Sequence, residues 1–132
     1  MSGSKSQSIS GLKKLTTLLV VEHIADQLGY WEQLGYRVSV RVPETGDPGF
    51  AILVAKSGEL MLQTRASLRD DLPDVAKRKP SFLLYADVDS LADARRSLET
   101  ATVIVAQRKT FYGATEAWLE LADGVILGLA TH

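Results

Sequence analysis

The candidate chemistry in this sequence is concentrated in one acidic and aromatic stretch, residues 114–121. Side chains alternate along a strand, so Glu116 and Trp118 fall on one face, with Ala114 and Glu120. An indole can stack on a planar ligand while a neighbouring carboxylate holds a cationic or hydrogen-bonding group. Glu116 is the only residue we nominate as an acid or base, and no partner for this carboxylate is visible in the sequence. The stretch therefore predicts ligand contact, with core filling or a dimer interface as the alternative for Trp118.

Side chains from other predicted strands are expected to complete the ligand site. In residues 59–65, Leu60 and Leu62 pair as the core face, which leaves Met61 and Gln63 on the opposite face. Glycine at a strand position leaves room for a ligand atom, and core filling is the alternative for a methionine. The predicted ligand-binding residues are Trp118, Glu116, Met61, Gln63, Tyr85, Gly128 and Tyr112.

Groups for metal, thiol or triad chemistry are scarce in this chain. It has two histidines and no cysteine. His23 lies at a predicted strand–helix junction and His132 is the last residue, and neither has a partner at metal-ligand spacing. A Ser-His-Asp arrangement would need His23, and no glycine-rich phosphate loop is present. We therefore predict no metal, no cofactor and no assigned catalytic residue, and the absence of cysteine fits a reducing, cytoplasmic location.

Composition narrows the class of protein further. The chain has 132 residues, 45% of them hydrophobic and 23% charged, with a net charge of −1. These values are ordinary for one globular domain. A nucleic-acid-binding protein normally shows a basic face, and the sequence displays none. A membrane-spanning helix needs about 20 apolar residues in succession, and no such run is present. We expect neither nucleic acid nor membrane as a partner.

Hydrophobic periodicity predicts the same order of elements twice. The predicted strands are residues 15–22, 36–42, 50–56 and 59–65, then 81–88, 102–107, 114–121 and 125–131; the predicted helices are 24–34 and 91–98. Ile24-Ala25-Asp26 matches Leu91-Ala92-Asp93, and Ser57-Gly58-Glu59-Leu60 matches Asp123-Gly124-Val125-Ile126, both at an offset of about 66 positions. The sequence therefore predicts an internal duplication.

The duplication sets the predicted organisation of the chain. A flexible leader, residues 1–11, precedes a single domain of two βαβββ modules, 12–65 and 80–132, joined by a linker, 66–79, that carries a short helix. The fold class is α+β, with both modules forming one cup-shaped mixed sheet suited to a small ligand. Strict alternation in residues 36–42 predicts one apolar and one polar face.

Six segments give this sequence a resemblance to a known superfamily. They are residues 20–24 (VVEHI), 28–36 (LGYWEQLGY), 58–63 (GELMLQ), 85–89 (YADVD), 112–118 (YGATEAW) and 122–128 (ADGVILG). Their order and spacing resemble the glyoxalase/bleomycin resistance protein/dioxygenase family, the vicinal-oxygen-chelate superfamily, over residues 15–131. In metal-dependent members four strand positions carry the ligands, and the resemblance places these near Thr16, Met61, Ser81 and Gly128. None of these is a metal-binding type, so the chain resembles the metal-free, bleomycin-resistance-like branch.

Three functions stay open from the sequence. The leading hypothesis, implied by the resemblance, is an antibiotic-resistance-like protein that sequesters a small, partly aromatic ligand in a homodimer cleft. The near-neutral charge argues against bleomycin itself as the ligand. The second hypothesis is a metal-independent isomerase or lyase acting on a small carbonyl compound, which a raised pKa of Glu116 would favour. The third is a dimeric interaction module whose cup is filled by side chains.

Overall fold

The computed structural model describes residues 11–132, so the predicted leader lies outside the described residues except for Gly11. These residues form eight strands, four α-helices and one short 3-10 helix, Ala122–Gly124, between the last two strands. In chain order they are β1 (Leu12–Val21), α1 (Ala25–Gln33), β2 (Arg37–Val42), β3 (Phe50–Ala55), β4 (Gly58–Thr64), α2 (Arg65–Asp71), α3 (Pro73–Ala76), β5 (Phe82–Val88), α4 (Leu91–Ser97), β6 (Thr102–Lys109), β7 (Thr115–Glu120) and β8 (Ile126–Thr131). The strand, helix and three further strands occur twice, which confirms the predicted α+β fold of two βαβββ modules.

The first compact unit, Thr16–Leu84, contains the strands in the order β2-β3-β4-β1. Strands β1 and β4 are parallel, and β2, β3 and β4 are antiparallel neighbours. Leu60 and Leu62 of β4 are buried in a core with Leu53 and Ile24, and Leu28 of α1 packs against it. The predicted core face of β4 is therefore confirmed.

The second compact unit, Tyr85–His132 with residues 11–15, contains the equivalent strands in the same order of neighbours, β6-β7-β8-β5. Strand β7 lies antiparallel to both β6 and β8. Its core contains Leu119 of β7 and Leu129 of β8, packed with Ala94 of α4. One face of β7 is thus covered by the helix, as alternation predicts, and Glu116 and Trp118 project from the other.

The strict alternation predicted for residues 36–42 is wrong. The pairing of β2 with β3 shifts by one residue between Val38 and Val40. Such a bulge turns every following side chain to the opposite face. Val40 and Val42 are consequently exposed, and Arg41 is partly buried.

The connection between the two modules contains two helices where the sequence predicted one. Helix α2 begins after Thr64, whose hydroxyl oxygen accepts a hydrogen bond from the Ser67 backbone N–H at 3.1 Å. Pro73 opens α3, a position where the missing proline N–H is not needed. Among residues 11–132, no helix has both the length and the apolar content to cross a bilayer.

Candidate functional site

Glu116 lies at the centre of the candidate site. Its side chain is fully buried. Oε2 accepts hydrogen bonds from the hydroxyl groups of Tyr85 at 2.5 Å and Tyr112 at 2.7 Å. Oε1 accepts from the Trp118 Nε1–H at 3.0 Å and from two nitrogens of Arg108, Nε at 3.0 Å and Nη2 at 2.9 Å. Because a carboxylate offers about four lone-pair sites, five donors leave it no spare acceptor capacity. We call Glu116 and its four partners, Tyr85, Arg108, Tyr112 and Trp118, the Glu116 network.

Four separate segments bring the Glu116 network together. Glu116 and Trp118 are two positions apart on β7, so they share a face. Tyr85 comes from β5, Arg108 from β6, and Tyr112 from the turn between β6 and β7. The structure therefore joins four of the predicted ligand-binding residues in one hydrogen-bonded group.

Arg108 is a member of the network that the sequence analysis missed. It lies directly opposite Glu116 in the β6–β7 pairing. The register shifts twice along β6, between Val103 and Val105 and again before Arg108. If the pairing of Thr102 with Glu120, at the open end of the hairpin, continued without a shift, Ala106 would lie opposite Glu116. These irregularities therefore supply the cation that neutralises the buried carboxylate.

Glu116 is held in its ionised form. Burial alone would raise its pKa, but the hydrogen bonds from Tyr112, Tyr85 and Trp118 and the charge of Arg108 outweigh burial. The pKa of Glu116 consequently lies below its ordinary value. A carboxylate that is ionised and saturated with donors can anchor its neighbours, but it is poorly placed to take a proton from a substrate.

The two phenols are held in their neutral form. Burial, the hydrogen bond to Glu116 and its negative charge raise the pKa of Tyr112 to about 12. The same causes, with burial again the largest, raise the pKa of Tyr85 well above its ordinary range. Both hydroxyl groups therefore keep their protons at neutral pH and act as donors to Glu116.

The open space expected at Gly128 is filled by Trp118. The indole is buried, and Trp118 pairs directly with Gly128 across β7 and β8. A Cβ atom built on Gly128 would lie 2.7 Å from Cη2 of the indole and 2.8 Å from Cζ2 and Cζ3. The missing side chain of Gly128 thus makes room for this indole. The prediction that Gly128 leaves room for a ligand atom is therefore wrong.

Replacing Gly128 with alanine should destabilise the protein by about 1–3 kcal/mol, the usual cost of overpacking a well-filled interior. The rigid, buried indole has to shift to admit the added methyl group. Chemical denaturation followed by tryptophan fluorescence measures the change. Gly29→Ala is the matched control, because nothing lies within 4 Å of the added Cβ and its position in α1 favours alanine. Equal stability of the Gly128→Ala variant and the unmodified chain would contradict the packing.

Tyr112, a member of the network, forms an exposed pair of aromatic rings with its neighbour Phe111. Tyr112 is 52% exposed even though its hydroxyl is bonded to Glu116, and the adjacent Phe111 is 93% exposed. Their ring centroids are 5.2 Å apart in an edge-to-face arrangement. Phe111 was not among the predicted site residues, although an aromatic pair in a hairpin turn is a visible signal.

The other two predicted ligand-binding residues belong to the Thr16–Leu84 unit. Met61 and Gln63 are both buried on β4. The side-chain amide of Gln63 donates from Nε2 to the Ser67 Oγ at 3.1 Å. Their contact with a ligand stays a prediction.

The residues at the four metal-ligand positions of the resembled family do not fit a metal. Thr16, Met61, Ser81 and Gly128 provide no imidazole, carboxylate or thiolate. Within the described range 11–132, no cluster of three or more His, Cys, Asp or Glu residues is arranged to hold an ion. The donor set therefore gives no metal centre on which to base a mechanism.

Comparisons with known proteins identify the fold. No protein-family model and no curated protein matches the chain. Among solved structures, the chain is similar to a glyoxalase/bleomycin resistance protein/dioxygenase superfamily member from Vibrio splendidus 12B01, with a TM-score of 0.66 and 16% identity over 92% of this chain and 99% of the other. It is also similar to methylmalonyl-CoA epimerase from Mycobacterium tuberculosis, with a TM-score of 0.64 and 18% identity over 96% and 91% of the two chains. A hypothetical protein from Bacillus halodurans C-125 is similar with a TM-score of 0.66 and 16% identity, over 91% of this chain and 96% of the other. The chain therefore has the fold of the glyoxalase/bleomycin resistance protein/dioxygenase superfamily, the vicinal-oxygen-chelate fold.

Proposed function

We propose that this chain is a metal-free small-molecule-binding protein that takes a small, partly aromatic ligand. The observation that carries the proposal is the donor-saturated carboxylate of Glu116. Because all its acceptor capacity is used internally, Glu116 serves to fix the orientation of Tyr85, Tyr112 and Trp118. Aromatic side chains with fixed orientations favour stacking of a planar ligand, since little conformational entropy is lost on binding.

The exposed rings indicate where such a ligand would make contact. Trp118 is buried against Gly128, so its faces are largely committed to internal packing. Tyr112 and Phe111 instead present ring surface to solvent beside the network. We therefore assign ligand stacking to Tyr112 and Phe111, and an orienting role to Glu116 and Trp118. Tyr85 remains a proposed member of this site, and contact of Met61 and Gln63 with a ligand is a separate prediction for the Thr16–Leu84 unit.

The alternative of an isomerase or lyase with Glu116 as base is less well supported. A general base works best when its pKa lies near the operating pH and it can reach the substrate proton. The pKa of Glu116 is shifted downward, away from neutrality, and its oxygens face protein donors. Both features favour a binding role.

A second candidate function, a ligand-free interaction module, is favoured by the Trp118–Gly128 contact. Side chains that fill the space expected for a ligand are what this alternative requires. A homodimer in the cytoplasm is part of both proposals. Val40 and Val42 on β2 and Val103 on β6 are exposed on strands at the ends of the strand order. Such strands have backbone groups free to pair with another chain.

A thermal-shift screen tests the binding function. We expect quinoline, indole, tryptamine or benzamidine to raise the melting temperature by several degrees, because a compound at 100 times its Kd stabilises the native state by about 2.7 kcal/mol. Ni²⁺, Zn²⁺, Mn²⁺ and Fe²⁺ should cause no shift. Phe111→Ala should abolish the response without changing stability, since Phe111 is 93% exposed. Tyr30→Ala, at an exposed tyrosine on α1, is the matched control.

The possible outcomes separate the candidate functions. A shift with a metal ion that EDTA removes would overturn the metal-free proposal. No shift with any compound, together with a stable dimer in sedimentation, would select the interaction module instead. An unchanged thermal shift in Phe111→Ala would show that the ligand does not bind at the Phe111–Tyr112 pair.

A further inference from the structure

A second candidate site lies in the Thr16–Leu84 unit, between the end of β1 and the two connecting helices. It is a cleft of about 630 Å³, within the range usual for small-molecule sites. Val20 of β1 and Leu68 of α2 are buried and belong to its lining, and Pro73 and Ala76 of α3 extend the apolar surface. The interior of the cleft is therefore suited to an apolar group.

The rim of the cleft carries four cations and no acid. Arg65 and Arg69 lie one helical turn apart on α2, and Lys77 and Lys79 follow α3. All four side chains are exposed, and none of the lining residues is an aspartate or a glutamate. The lining therefore carries four positive charges, which Asp70, Asp71 and Asp74, on the same helices but outside the lining, offset in part.

Most of this positive charge is not neutralised locally. Lys77 lies 3.5 Å from Asp74, which is itself exposed to solvent and does not line the cleft. Arg65 donates a long hydrogen bond of 3.5 Å to the Pro80 backbone oxygen, which carries no formal charge. Among residues 11–132, Arg69 and Lys79 have no carboxylate within ion-pair distance.

The backbone at Lys79 is strained. Its φ is +52°, in the left-handed region that glycine and asparagine tolerate better than other residues. A lysine in this conformation costs free energy that a glycine would avoid. The residue that carries the strain is one of the cations at the rim.

We propose that this cleft binds a free amphiphile with a carboxylate head and one apolar chain, such as a medium-chain fatty carboxylate. The apolar chain lies on Val20, Leu68 and Ala76, and the head group is held by Arg69 and Lys79. No aromatic residue lines the cleft, which disfavours a stacked nucleobase. The proposal goes beyond the function assigned above and does not rest on it, because all lining residues belong to Thr16–Leu84 and the Glu116 network belongs to Tyr85–His132.

Calorimetric titration with sodium decanoate, below its micelle concentration and at low salt, tests the proposal. We expect saturable binding of decanoate and at least tenfold weaker binding of acetate, which lacks the chain. Decyltrimethylammonium, which has the chain but a positive head, should also bind at least tenfold more weakly. Amide resonances of Leu68 and Ala76 should shift during the decanoate titration.

Variants locate the site. The double variant R69Q/K79N should raise the Kd for decanoate by roughly two- to thirtyfold, since it removes two exposed ion pairs to the head group and each contributes modestly. Asparagine is chosen at position 79 because it tolerates the left-handed backbone. Lys56→Asn removes an exposed lysine from the turn after β3, outside the cleft, and should leave the Kd unchanged. Ala76→Phe should obstruct the cleft and abolish decanoate binding. If this variant does not fold, the R69Q/K79N and Lys56→Asn variants, whose changes lie at exposed positions, still test the proposal.

Three results would overturn the proposal. They are equal affinity for decanoate and decyltrimethylammonium, equal effects of R69Q/K79N and Lys56→Asn, and absence of saturable decanoate binding. If the chain sediments with phosphatidylglycerol vesicles but does not bind decanoate, the cations serve a membrane surface and the proposal is also wrong. Phe111→Ala should not alter decanoate binding, so failure here is distinguishable from failure of the proposed aromatic site.

Discussion

Replacing Glu116 with alanine is expected to lower the free energy of unfolding by about 3–5 kcal/mol, the usual cost of breaking a buried ion pair. The carboxylate neutralises Arg108 and accepts hydrogen bonds from Tyr85, Tyr112 and Trp118. Its removal takes the Glu116 charge away from a largely buried guanidinium and removes the acceptor of several hydrogen bonds. Urea denaturation at pH 7 measures the change.

Two further variants separate the charge of Glu116 from its shape. Glu116→Gln keeps the volume and one carbonyl oxygen for Arg108 and Trp118, and its amide can donate to the phenol oxygens, whose hydroxyl groups rotate freely. We expect this variant to lose about half as much stability as Glu116→Ala. Glu44→Ala removes an exposed carboxylate from the loop before β3 and should change stability by at most about 0.5 kcal/mol. A loss below about 1 kcal/mol in Glu116→Ala would show that the network does not stabilise the fold.

The effect of removing Glu116 bears on function as well as on stability. If Glu116 were a catalytic base, its removal would typically abolish activity and leave the fold stable or more stable, since functional sites often carry strain. A large loss of stability is instead what an anchoring residue produces. The direction of the change therefore distinguishes the binding proposal from the enzymatic alternative without knowledge of the ligand.

The fold could be predicted from the sequence because it depends on patterns that the sequence displays directly. The apolar pair Leu60 and Leu62, and its counterpart Leu127 and Leu129, mark the strand faces covered by helices. The recurrence of matching segments at an offset of about 66 positions then predicts two copies of one module. Both signals are local or repetitive, so no three-dimensional information was needed.

Arg108 could not be found by simple alternation, because bulges in β6 change the register. The predicted strand also ended at residue 107, so Arg108 fell outside it. The Thr110 backbone N–H donates to the Ala114 oxygen at 2.8 Å, and two steps back along each strand place Arg108 opposite Glu116. Hairpin register is set by the turn, so the turn is the safer origin for the count.

The filling of Gly128 by Trp118 also had a signal in the sequence. The predicted strands 114–121 and 125–131 leave three residues between them, and pairing residue 121 with residue 125 and continuing back along both strands brings Trp118 opposite Gly128. A glycine facing an indole is more simply explained by packing than by a ligand. The cationic cleft had no such signal, because its lining comes from β1 and two helices whose approach depends on tertiary structure.

Alkaline pH should destabilise the protein through the tyrosines of the network. A phenol whose pKa is higher in the folded than in the unfolded protein contributes stability that is complete below the unfolded pKa, about 10, and is lost as pH rises through the folded pKa. The pKa of Tyr112 is raised to about 12, and that of Tyr85 is raised further. The free energy of unfolding should therefore fall progressively from pH 10 upward and still be falling at pH 12.

Urea denaturation between pH 8 and pH 12, with tyrosinate absorbance at 295 nm, measures this dependence. Tyr85→Phe and Tyr112→Phe each remove one of the shifted phenols, so both variants should lose less stability than the unmodified chain between pH 10 and pH 12. The effect of Tyr85→Phe should be the larger, because Tyr85 is less exposed and its pKa is raised more. A constant free energy of unfolding up to pH 12 would mean that neither hydroxyl is held by the ionised Glu116. Since the proposed orientation of the aromatic rings depends on those two hydrogen bonds, the alkaline titration tests the physical basis of the ligand site before any ligand is known.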